Sequence, residues 1–187
     1  MNRSGAKSVI VFLCLALCLF LGQLLLWDNP ANGAPRTQEV AGHHLAEGEA
    51  LVVTVPGNLS WTDTEMEVTA GQEIVFKAAG KISLQKGNPQ AECGPEGYDL
   101  RTVQQPLPEN NLGSLIGKVV ISVMMSVDEK TGEEKKEEVA QFFFVGAENR
   151  VEMPAPGRLF LGINENVSGD NAGEFKVSIT TVKKDDR

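Results

Sequence analysis

Two runs near the C-terminus, Arg158-Leu-Phe-Leu-Gly-Ile163 and Glu174-Phe-Lys-Val-Ser-Ile-Thr-Thr-Val182, flank the polar decapeptide Asn164-Glu-Asn-Val-Ser-Gly-Asp-Asn-Ala-Gly173. Both runs are short, rich in Val, Ile, Leu and Phe, and lack a sustained 3.6-residue period, so they predict strands rather than helices. The decapeptide between them is a loop of Asn, Asp, Gly and Ser, residues that turns favour. It also gathers carboxylate and amide side chains, and a hard divalent cation takes its ligands from carboxylates, amide oxygens and loop carbonyls.

The same texture extends upstream to Ala50. Strands are expected near 50–55, 65–68, 73–79, 115–127, 139–145, 151–153, 158–163 and 174–182, with Ala70-Gly-Gln72 and Pro154-Ala-Pro-Gly157 as turns. The predicted fold class is all-β, a two-sheet antiparallel sandwich or jelly roll, preceded by an N-terminal hydrophobic targeting helix. The mixed-charge run Asp128 to Glu138 reads as a solvated hairpin extension whose charges discourage edge-to-edge aggregation. The connection from Gln85 to Asn111 contains Pro89, Pro95, Pro106 and Pro108. Its length marks it as functional or disordered.

The chain of 187 residues, 42% apolar and 22% charged, suits one modest core. Ser8 to Trp27 form an apolar stretch preceded by Arg3 and Lys7 and followed by Asp28, a targeting segment with positive charge on the cytoplasmic side. Residues 1–33 read as a cleaved signal peptide or an uncleaved anchor, two alternatives that both place the remainder outside the cytoplasm. Residues 34–47 read as a flexible tether, 48–183 as the β-sandwich domain and 184–187 as a charged tail.

Charge and composition exclude several functions. The net charge is −8, and the segment 1–33 contributes no part of that negative excess. Nucleic acid and anionic lipid are therefore unsuited as partners, and the membrane is touched only through the N-terminal segment. Of three cysteines, Cys14 and Cys18 lie in the apolar stretch and only Cys93 lies in the exported part, so the domain has no internal disulfide. Both histidines, His43 and His44, fall in the tether. No Ser-His or Cys-His pair can form in the folded part, and no catalytic residue is expected.

Four segments carry a resemblance to a known family. They are Val75-Phe-Lys-Ala-Ala-Gly80 leading into Leu84, Gly94-Pro-Glu-Gly97 followed by Gln104, Gly113-Ser-Leu-Ile-Gly-Lys118, and Asn164-Glu165 with Asp170-Asn-Ala-Gly-Glu-Phe-Lys-Val177. In order and spacing, from about Leu51 to Lys183, they resemble the PA-IL type of bacterial galactophilic lectin, a jelly-roll sandwich that binds sugar through calcium. The resemblance implies Ca2+ as cofactor and galactoside-like glycans as partners, with oligomerisation or anchoring to raise avidity. It places metal ligands at Glu165, Asp170, Asn171 and the carbonyl of Leu84. Sugar contacts would come from Arg101, Gln104, Asp170 and Asn171.

This chain departs from the family pattern at several positions. Leu84 stands where the family has an aromatic, Glu165 and Asp170 replace Asp and Asn, and the loop between those ligands is shorter. Arg101 occupies the place of a His. The alternative reading is a non-catalytic envelope sandwich that binds protein or assembles with itself, its calcium site degraded or structural.

Overall fold

The computed structural model describes residues 42–128, 131, 132 and 134–182. The apolar stretch Ser8 to Trp27, most of the expected tether and the charged tail lie outside the described residues. Among those described, no helix is long and apolar enough to cross a membrane.

Among the described residues nine strands follow in chain order: β1 (Ala50–Pro56), β2 (Trp61–Val68), β3 (Glu73–Ser83), β4 (Glu92–Cys93) and β5 (Leu115–Val127). After them come β6 (Glu134–Phe144), β7 (Glu148–Glu152), β8 (Gly157–Ile163) and β9 (Ala172–Thr181). One sheet runs β1-β9-β3, with β7 and β4 sharing the far edge of β3 at different heights. The other runs β2-β8-β5-β6. Strand pairing within both sheets is antiparallel.

All eight expected strands are present. The two-residue β4 is an addition, because a pair of residues inside a Pro- and Gly-rich connection carries no periodic signal. Several strands run longer than expected, since polar residues such as Thr62, Asp63 and Lys135 continue a ladder that their neighbours begin.

The core lies between the sheets. From the first sheet come Ile74, Phe76, Phe175, Val177 and Ile179, and from the second Met66, Leu115, Val119, Leu159, Leu161 and Ile163, all inaccessible or nearly so. Fully burying each such side chain contributes about 1.5–3 kcal/mol, and with Cys93 a free thiol packing must supply the stability. Gly80 sits opposite Phe175 in the β3/β9 ladder with φ +117°, and a Cβ there would lie 2.4 Å from the Glu174 carbonyl oxygen. Only glycine fits that approach.

The outer face of the second sheet holds a covered cation. Lys118 is 7% exposed, its Nζ 2.8 Å from Glu138 and over the rings of Trp61 (4.6 Å) and Phe160 (5.2 Å). Trp61 also meets Phe142, with centroids 5.7 Å apart. Its ring is thereby occupied in packing.

The end of the expected tether is strapped to the sandwich. His43 forms a parallel bridge with Met66, donating to the Glu65 carbonyl (3.1 Å) and accepting from Glu67 N–H (3.0 Å). Glu65 holds φ +60° within the register shift between Asp63 and Glu67, a conformation uncommon for a side chain of its size. Farther on, Gly48 N–H and Ala46 C=O bond to Thr181 on the other sheet, and Leu45 packs on the core.

Candidate functional site

The loop joining β8 to β9 begins and ends on a buried asparagine. Asn164 is 0% exposed and all its polar groups are engaged. Its Oδ1 accepts from Leu107 N–H (2.9 Å), and its Nδ2 donates to the carbonyls of Leu107 (2.9 Å), Asn111 (3.1 Å) and Asn110 (3.4 Å). Its backbone pairs with Gly113 and Ser114. This one side chain binds the long β4–β5 connection to the sandwich, a role that composition did not distinguish from turn formation.

The connection is ordered by further bonds. Tyr98 and Leu112 form an antiparallel bridge, Leu115 N–H reaches the Pro95 carbonyl, and the buried Gln105 donates to the Asn110 carbonyl at 3.0 Å. Ahead of it, between β3 and β4, lies a 3₁₀ turn, Pro89–Ala91, capped by Asn88, whose side chain accepts from Gln90 N–H.

Asn171, at the other end of the β8–β9 loop, is 5% exposed. Its Nδ2 donates to the Gly57 carbonyl at 3.1 Å and to Glu165 Oε2 at 2.5 Å. Those two acceptors identify which end of the amide is nitrogen. Its Oδ1 is buried and meets no hydrogen-bond partner among the described residues. Glu165 is partly buried, and burial pushes its carboxyl up. The Asn171 bond pulls it back and the negative Asp170 pushes it up again, for a net rise above the usual carboxylate range.

Asp170 has its side chain in solvent, while its carbonyl accepts from Lys86 N–H at 2.8 Å. That bond holds the loop against the segment following Leu84. Leu84 donates to the Ala91 carbonyl, and its side chain packs over Gly113 and Cys93. Glu165, Asp170, Asn171 and Leu84 are therefore brought to one rim of the sandwich. Cys93 lies close behind; burial first and then the negative Glu165 push its thiol up to about 11.

The two proposed sugar-contact residues of the long connection are placed differently. The Gln104 carbonyl accepts from Asn166 Nδ2, which draws it to the β8–β9 loop, and its side chain is exposed. Arg101 is exposed, and no hydrogen bond or ion pair joins it to that loop among the described residues. A shallow depression of about 260 Å³ lined by Lys81, Ser83, Asn88, Glu92 and Gly173 borders the same rim without including the four clustered residues.

The donor set decides what kind of ion could be held. Among the described residues no three His, Cys, Asp or Glu side chains form a metal-binding group. The oxygens of the rim, amide and carbonyl beside two carboxylates, are the donors a hard cation draws on. The buried Asn171 Oδ1, unpartnered among the described residues, fits that requirement.

No protein-family model matches the chain, and no curated protein matches it. Among solved structures, the chain is similar to one described as "EclA N-terminal domain; PllA-like lectin". The two share 22% identity over 70% of this chain and 94% of that one, with a TM-score of 0.48.

Proposed function

We propose that the exported part of this chain is a non-catalytic, extracytoplasmic carbohydrate-binding domain that takes a galactose-type sugar through a calcium ion at the rim of the sandwich. The observation that carries this reading is the Asn171 Oδ1, buried without a partner among the described residues on the amide whose Nδ2 bonds Glu165. An unsatisfied buried acceptor costs about 1–3 kcal/mol, and a cation coordinated by that oxygen would remove the cost. Glu165, Asp170, Asn171 and the Leu84 carbonyl would hold the ion. Bound calcium would supply an open coordination position for two vicinal sugar hydroxyls.

The remaining contacts come from the protein. The solvent-facing Asp170 carboxylate accepts from sugar hydroxyls, the Gln104 amide donates and accepts, and Arg101 donates through its planar fork. Calorimetric titration with calcium, followed by a galactoside panel, tests the reading. Absence of calcium binding at millimolar concentration would refute it, and calcium binding without sugar binding would leave a structural site.

A second reading, an envelope module that binds protein or itself, is favoured by the exposed apolar residues at the distal end of β5. A glycan array probed with and without chelator separates the two.

A further inference from the structure

Beyond Val120, where its pairing with β8 ends at Arg158, β5 keeps one neighbour among the described residues. From Ser122 to Val127 it pairs with β6 alone, past a register shift at Ile121. Its other edge, Ile121-Ser-Val-Met-Met-Ser-Val127, meets no strand among the described residues. Every residue of this segment is exposed, Met124 by 54% and Met125 by 59%. A two-stranded ribbon standing alone is marginal in water.

The two edges of this arm differ in kind. Along β6 run Glu134, Lys135, Lys136, Glu137 and Glu138, with ion pairs Lys135–Glu137 and Lys136–Glu138. Such an edge resists strand addition. The β5 edge carries no charge, no proline and no glycine. It consists of β-branched residues, methionine and serine, the composition of a strand that accepts another.

The segment itself identifies what pairs with it. Read in either direction from Met124 it is chemically the same: Val123 answers Met125, Ser122 answers Ser126, and Ile121 answers Val127. Antiparallel pairing across a two-fold axis normal to the sheet places residues of the same face opposite one another. Centred on Met124, that register sets apolar residues against apolar ones and hydroxyl against hydroxyl. Moving the axis by one residue in either direction sets serine against methionine.

We propose that the free edge of distal β5 pairs antiparallel with the same edge of a second copy of this chain. The product is a four-stranded ribbon in the order β6-β5-β5-β6, with Met124 on the two-fold axis and the charged β6 strands as its outer edges. The charges then terminate the assembly at two copies. The pairing stands whether or not the rim binds sugar.

Sedimentation velocity of the full-length chain in non-ionic detergent, over a range of concentrations, tests this. The wild-type chain should dimerise. Met124→Lys and Met124→Glu, each measured alone, should weaken self-association about tenfold or more by placing like charges directly opposite. Their equimolar mixture should recover to within about threefold of wild type, because Lys then faces Glu. Unchanged melting of each variant confirms its fold, and recovery in the mixture requires it.

Hydrogen exchange of residues 121–127 should be protected in proportion to dimer. A monomeric wild type, a dimer indifferent to both charges, or a mixture that stays monomeric overturns the proposal. Protection independent of concentration also overturns it, because a segment of the same chain would then occupy the edge.

Discussion

The two ends of the β8–β9 loop use the same residue for opposite purposes. Asn164 is buried with donors and acceptor all engaged by the long connection, whereas Asn171 is buried with its oxygen left over. A fully satisfied buried amide specifies structure. One that is half satisfied has a cost that only a further partner removes.

Removing Asn164 should have the largest effect. Asn164→Ala strands Leu107 N–H and three carbonyls, and we expect a loss of about 2–4 kcal/mol in the calcium-free protein, read by urea denaturation. A loss as small as that at Asn171 would break the contrast. The Cys93 thiol reports the same difference kinetically, because its ionisation is pushed up to about 11. At pH 8 it should react with a thiol reagent only through opening of the structure, with the advantage of the protonated form disappearing as pH rises toward that value. Peptide mapping should show Cys93 labelling accelerated by Asn164→Ala and little changed by Asn171→Ala.

At the other end, Asn171→Ala strands the Gly57 carbonyl and the Glu165 carboxylate but also removes the orphaned oxygen, so Asp170→Ala with Asn171→Ala should cost the calcium-free protein about 1–2 kcal/mol, less than Asn164→Ala. The pair should abolish calcium-linked stabilisation, worth about 2.7 kcal/mol at a hundredfold excess over the dissociation constant. An equal loss with and without calcium would make Asn171 a second Asn164. The smallest effect is expected for Arg101→Ala, which should weaken galactoside binding by about 0.5–1.5 kcal/mol and leave calcium affinity alone. Unchanged glycan binding would remove the long connection from the site.

Much of the framework was legible in the sequence, because strand-forming runs such as 115–127 and 158–163 stand between recognisable turns. His43 and Leu45 fall within the stretch expected as a flexible tether; two backbone bonds to β2 and the side chain of Leu45 hold them, and such bonds leave no mark in composition. The distinction between Asn164 and Asn171 was illegible for a related reason. Both are turn residues by type, and which of them has a spare oxygen depends on partners more than fifty residues away, at Leu107 and Gly57. The charges expected to protect the hairpin extension do line β6, but the distal edge of β5 meets no strand among the described residues.

The strap from His43 to Gly48 also has a mechanical meaning. Any load entering from the N-terminal side reaches the two backbone bonds of His43 first, then Leu45, and only afterwards the bonds to Thr181. Pulling on this end should peel the segment away before β1 or β2 is disturbed, which force spectroscopy would read as a short extension ahead of the main unfolding event.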